Sequence, residues 1–84
     1  MKNDVAKVQE WLIDYIADLT GVEKTHISEQ SQFSALGLDS AAVIGMTGDL
    51  SDWLGKEIDP TIVYEYPTIE GLAQHAMDAE EILV

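Results

Sequence analysis

In the segment NDVAKVQEWLIDYIADL, residues 3 to 19, the apolar side chains of Val5, Val8, Leu12, Tyr15, Ile16 and Leu19 recur at steps of three and four. That is the repeat of one face of an α-helix. A helix striped in this way has to bury its apolar face against a neighbour, so the chain must supply partners for it. Asn3 or Asp4 is placed to cap the start, and Thr20-Gly21 supplies the stop.

The partners follow downstream. Val43, Met46, Thr47, Leu50, Trp53 and Leu54 fall on one stripe, which predicts a second helix from about Ser40 to Leu54, closed by Gly55 and Lys56. Asp59-Pro60-Thr61 opens a short helical turn through about Tyr64. Pro67-Thr68 opens a longer helix whose buried side is Ile69, Leu72, Ala73, Ala76 and Met77. Residues 20 to 39 hold no sustained period and several Ser and Thr, which compete for backbone hydrogen bonds. They are expected to form a long loop, pinned to the core by Ile27, Phe33, Leu36 and Leu38. The expected fold is therefore all-α: a four-helix bundle with three longer helices, one short third helix and a long loop between helices one and two. At 84 residues the chain has room for a single domain, 1–84.

Charge narrows the choice of partners. Sixteen acids stand against four lysines, a formal charge of −12, and from residue 25 onward Lys56 is the only base. Such a field repels nucleic acid and anionic lipid and attracts basic protein surfaces, although solubility alone also accounts for it. There is no cysteine, so neither a disulfide nor a thiolate zinc site staples the fold. No apolar run approaches the roughly 20 residues that span a bilayer. A soluble, cytoplasmic monomer that binds neither nucleic acid nor membrane is the expectation.

Local chemistry is sparse. Gly37-Leu38-Asp39-Ser40 followed by Ala41 does not fit the G-x-S-x-G elbow of serine hydrolases, and His26 and His75, the two imidazoles, have no local partner pattern. The stretch DLSDWLGKEID lacks the calcium-loop spacing, and there is no glycine-rich phosphate cradle or basic patch. The chain is not expected to be an enzyme. Gly45 and Gly48 lie inside the second helix, where each costs about 0.8 to 1 kcal/mol against alanine. Either a neighbouring helix or a partner approaches closely there. Trp11 and Trp53 are expected to pack on the bundle or sit half exposed. Ser40 begins a helix, where a serine is usually a cap. The same place, beside free N–H groups and the positive end of the helix dipole, also suits a phosphodiester, so the serine could be modified.

The pieces LGLDS (36–40), the striped helix after it, and DPTIVYEYPTIEGLAQH (59–75) together resemble the acyl carrier protein family. The likeness runs from the first helix to about Met77. It implies that Ser40 carries a 4'-phosphopantetheine arm taken from coenzyme A, and that Asp39, its motif partner, helps present it to a phosphopantetheinyl transferase. Leu36 and Leu38 then anchor the loop end, Gly37 allows the turn, and Asp39 adds charge favoured at a helix N-terminus. The chain departs from fatty-acid-synthesis carriers in having Ala41 after the serine and a nearly neutral outward face of Ser40, Ala41, Ile44, Gly45, Gly48 and Asp52. DSAAVIGMTGDLSDWLG and PTIVYEYPTIEGLAQHA are more similar to carriers found beside fatty-acyl-AMP ligases and polyketide synthases. The resemblance thus implies acyl cargo held as thioesters in polyketide or lipid-derived natural product biosynthesis. The partners it implies are an acyl-AMP ligase or acyltransferase, a ketosynthase and other acyl-processing enzymes. An aminoacyl or peptidyl carrier is the alternative within the family. An unmodified acidic helical module that binds a basic protein is the alternative outside it.

Overall fold

The computed structural model describes residues 5–55 and 57–82, with side chains as far as Met77. Three α-helices, α1 (Val5–Thr20), α2 (Ser40–Leu54) and α3 (Ile69–Ile82), are joined by segments that contain three 3₁₀ turns. No strand occurs among the described residues; Gln32 and Thr68 form an isolated antiparallel bridge.

In α1 the expected stripe faces inward, with Val8, Leu12 and Ile16 fully buried. Leu19 departs from it. It is 51% exposed, because in the last turn it lines an open groove with Leu36 and Ala42 instead of closing on them. The helix stops as anticipated: Gly21 adopts φ 79°, and its N–H donates to the Ala17 carbonyl at 2.9 Å. The expected caps, Asn3 and Asp4, lie outside the described residues.

The stretch between α1 and α2, expected as a plain loop, contains two 3₁₀ turns, Lys24–His26 and Phe33–Leu36. Ile27, Phe33 and Leu38 are buried, and Leu36 is partly so. Two backbone bonds tie this stretch to the chain's C-terminal part: Phe33 N–H to Pro67 O at 2.8 Å and Glu70 N–H to Glu29 O at 3.0 Å. The long connection is thereby held against the start of α3.

α2 has the expected bounds, and Val43, Met46, Thr47, Leu50 and Leu54 are its buried side. The buried Thr47 hydroxyl is satisfied by donating to the Ile44 carbonyl at 2.7 Å. Trp53 is half-buried and stacks on Trp11 of α1 at 5.5 Å between ring centroids, and Trp11 stacks on Tyr15 at 5.2 Å. The Tyr15 hydroxyl donates to Asp49 at 2.7 Å. That bond holds the phenol above its usual range, with burial and the carboxylate's charge adding to it.

The short third helix expected from Asp59-Pro60-Thr61 is a five-residue 3₁₀ turn, Pro60–Tyr64, packed against α2. The Asp59 carboxylate accepts from the Thr61 N–H at 3.0 Å and the Thr61 hydroxyl at 2.8 Å. Those bonds hold the carboxyl below its usual range. A segment this short closes few α-type bonds, which is why the tighter winding suffices. In α3, Ile69, Leu72, Ala73 and Ala76 are buried and Met77 is half-buried. Thr68 Oγ1 accepts the Gly71 N–H at 3.0 Å as its cap. One apolar core joins α1, α2 and α3, each buried leucine, isoleucine or valine contributing about 1.5 to 3 kcal/mol. Among the described residues no helix is long and apolar enough to cross a membrane.

Candidate functional site

The approach to Ser40 is built by sharp local geometry. The Phe33–Leu36 turn ends at Gly37 with φ 92°, a left-handed conformation that favours glycine. Gly37 N–H donates to Ser34 O at 3.2 Å and Leu38 N–H to Phe33 O at 3.1 Å. Leu38 is buried, so the chain is pinned two residues before Ser40.

Asp39 then takes the role that a serine at a helix start usually fills. Its backbone is extended, with φ −89° and ψ 177°, and its Oδ1 accepts the Ala42 N–H at 2.8 Å. Asp39 is the cap of α2, and Ser40 is the first helical residue, exposed to solvent. The capping reading of Ser40 is therefore corrected. A one-residue difference in where the helix begins decides it, because only the residue in extended backbone aims its side chain at the first-turn N–H groups. Ser40 is left exposed beside the positive end of the helix dipole, where a phosphate is favoured.

A groove of about 140 Å³ runs from Ser40 between the start of α2 and the Pro60–Tyr64 turn. Its walls include Phe33, Val43 and Val63 from the core, with Ile44 and Tyr64 at the rim. Those two are 46% and 71% exposed, large apolar surfaces left uncovered beside the serine. Reading the sequence placed Ile44 on the outward face but gave Val63 and Tyr64 no part in the site. The signal that brings them there is the Asp59 cap, which folds Pro60–Tyr64 onto α2.

The other singled-out residues lie elsewhere. His26 is exposed on the first 3₁₀ turn, and His75 stacks on Tyr66 at 4.8 Å; neither lines the groove beside Ser40. No cluster of metal-ligating side chains occurs among the described residues. Nothing lies within 4 Å of a Cβ built at Gly45 or Gly48. Close packing inside the chain is therefore not what these glycines serve.

Comparison with known proteins places the whole of this region within a family. Residues 10–76 match the family model described as "Phosphopantetheine attachment site". The chain is 39% identical over 67 residues to acyl carrier protein TtuC of Teredinibacter turnerae, covering 80% of this chain and 77% of the relative. It is 31% identical over 70 residues to a phenolphthiocerol/phthiocerol polyketide synthase of Mycobacterium tuberculosis. That match takes in 83% of this chain but 4% of the much longer synthase polypeptide. Among solved structures, a free-standing peptidyl carrier protein from Acinetobacter baumannii superposes with a TM-score of 0.83 at 31% identity, over 92% of this chain and 96% of that one.

The chain belongs to the acyl carrier protein family, the carriers of phosphopantetheine. Its cofactor is 4'-phosphopantetheine, and the residues present suit it: an exposed hydroxyl at a helix N-terminus, beside an apolar groove.

Proposed function

We propose that Ser40 is the attachment point of the arm. Residues 1–84 would then act as one acyl carrier domain that shuttles acyl groups, as thioesters, between enzymes of polyketide or lipid-derived natural product biosynthesis. The observation that carries this reading is the division of labour at the start of α2. Asp39 satisfies the helix, so Ser40 is presented without structural duty. In the transfer, Ser40 Oγ attacks the phosphorus of coenzyme A that bears the pantetheine. The phosphoanhydride bond breaks, 3',5'-ADP leaves, and the hydroxyl proton passes to a base on the phosphopantetheinyl transferase. Among the described residues neither histidine lines the groove beside Ser40, which fits a protein that is the substrate of the reaction and not its catalyst. Once attached, the arm supplies a terminal thiol for acyl groups, and its tether raises their effective concentration at each partner.

The polyketide class is supported by the likeness to an acyl carrier protein and to a segment of a polyketide synthase. The nearly neutral face beside Ser40 supports loading by an acyl-AMP ligase over a purely electrostatic dock, and a ketosynthase or other acyl-processing enzyme would receive the cargo. We place the carrier in the cytoplasm as a monomer. The likeness to the Acinetobacter protein fits the peptidyl-carrier alternative, but no better than the acyl reading.

The test is intact mass after incubation with coenzyme A and a broad-specificity phosphopantetheinyl transferase. The expected result is a gain of one phosphopantetheine on the parent chain and none on Ser40→Ala. No gain on a protein shown to be folded would sink the carrier role for Ser40. Loading the modified protein with fatty-acyl-AMP ligases and with amino-acid-adenylating enzymes then separates acyl from aminoacyl cargo.

A further inference from the structure

Gly71 differs from the other glycines. A Cβ added there would lie 3.2 Å from Thr68 Oγ1 and 3.3 Å from Tyr66 Cβ, tighter than ordinary van der Waals contact, whereas at each of the others it would meet nothing within 4 Å. The backbone does not ask for glycine at 71, since the positive φ values belong to Gly21, Gly37 and Gly55. In the first turn of α3 alanine would be the better helix former. The glycine therefore serves the residues packed on it. Tyr66 is also held from further along α3, where its ring stacks on His75 at 4.8 Å between centroids. The ring thus lies along α3 over the space that the missing side chain leaves.

From this seat the backbone reaches both sides of the approach to Ser40. Tyr66 N–H donates to Ile62 O at 2.8 Å and so closes the Pro60–Tyr64 turn. The next residue, Pro67, accepts the Phe33 N–H at 2.8 Å. Phe33 O in turn accepts the Leu38 N–H at 3.1 Å, two residues before Ser40. The bridge between Gln32 and Thr68 and the bond from Glu70 N–H to Glu29 O run alongside. A short relay of backbone bonds thereby joins the seat of Tyr66 to the anchor of Ser40.

We infer that Tyr66 and Gly71 are positioning residues for Ser40: the clasp they hold keeps the serine in the one geometry that a phosphopantetheinyl transferase accepts. This rests on the attachment proposed above. Ser40 is exposed, and a loosened approach would have to be ordered when the enzyme binds, which weakens binding by the fraction of molecules that are competent. Once bound, the serine is in place. Loss of the clasp is therefore read in KM and not in kcat.

The experiment uses the full chain, coenzyme A and a broad-specificity transferase, with rates taken from intact mass and folding confirmed by urea denaturation. Gly71→Ala and Tyr66→Ala are expected to raise KM by about two- to tenfold, the range that one neutral hydrogen bond spans, with kcat unchanged. Tyr66→Phe, which keeps the ring, is expected to match the parent. Amide exchange supplies the second readout: Phe33 and Leu38 should exchange faster in both alanine variants, while Leu50, in the core of α2, keeps its parent rate. Faster exchange at Phe33 and Leu38 with an unchanged KM overturns the inference and leaves the clasp a matter of stability. A raised KM with unchanged exchange overturns the relay. If Gly71→Ala does not fold, the Tyr66→Ala and Tyr66→Phe pair decides by the same two readouts. A folded parent that gains no mass removes the attachment at Ser40 and the inference with it, whereas a parent that is modified leaves the attachment standing whatever the variants do.

Discussion

The two sides of α2 are treated in opposite ways. Toward the core, the helix buries Val43, Met46, Leu50 and Leu54, and along its edge with α1 it is locked by the Trp11–Trp53 stack and the bond from Tyr15 to Asp49. On its outward side, Ser40, Ala41, Ile44, Gly45 and Gly48 are exposed, and among the described residues no atom lies within 4 Å of a Cβ added at either glycine. The contrast separates what holds a carrier together from what it offers. Stability is concentrated on the buried side and the edge toward α1, so the outward face is free to be small, flat and individually unfavourable to the helix.

That comparison can be broken, or sharpened, by substitution. The largest effect is expected from Ser40→Ala, which removes phosphopantetheine transfer altogether, read as intact mass. It should move unfolding free energy by less than about 0.5 kcal/mol, because the cap belongs to Asp39. A large stability loss in urea would mean that the serine carries structure after all. On the opposite side, Leu50→Ala is expected to cost about 2 to 5 kcal/mol, again by urea denaturation, while the fraction that remains folded is still modified.

Between these extremes lies the cap. Asp39→Ala should destabilise by about 0.5 to 2 kcal/mol, whereas Asp39→Asn, which keeps an acceptor oxygen, should lose far less. Equal losses in the two variants would mean that charge, and not the hydrogen bond, is what Asp39 contributes to the fold. The glycines should respond with the other sign. Gly45→Ala and Gly48→Ala are each expected to raise stability by up to about 1 kcal/mol, since no atom lies within 4 Å of the added carbon. If thermal unfolding rises while loading by the proposed acyl-AMP ligase slows, the flat face serves that enzyme; if loading is unchanged, it does not.

The smallest effect is expected from Tyr15→Phe, about 0.5 kcal/mol for one exposed hydrogen bond. It carries a pH signature. The Tyr15 phenol is held above its usual range in the fold, so between its unfolded and folded ionisation the folded protein binds more protons. The contribution is therefore present below the unfolded pKa and lost as pH rises through the folded one. Alkaline unfolding curves of parent and variant should converge above that range, and curves that stay parallel would rule out the linkage.

Much of this was legible in the residues. The bounds of α2 match those expected because the apolar stripe marks its length and Gly55 its stop. The buried members of α1 and α3 followed from the same period. The two 3₁₀ turns between α1 and α2 were not legible, since three or four residues bonded locally leave no repeat to detect. Leu19 matches the stripe as well as Ile16 does, yet it is exposed. Periodicity reports which face a residue shares, not whether anything covers it.

What the sequence determined by itself, then, was local and periodic: the helix stripes, their stops, the serine at a helix start and the excess of acid. Those properties depend on neighbours a few positions away, and spacing alone reveals them. Only the tertiary structure decided which residue caps α2, that Trp11 meets Trp53, and that Val63 and Tyr64 complete a groove beginning at Ser40. Each of the last two joins segments far apart in the chain, and the cap depends on a one-residue choice of where the helix begins. Such choices are made by the packing of the whole core, to which no single stretch of sequence has access.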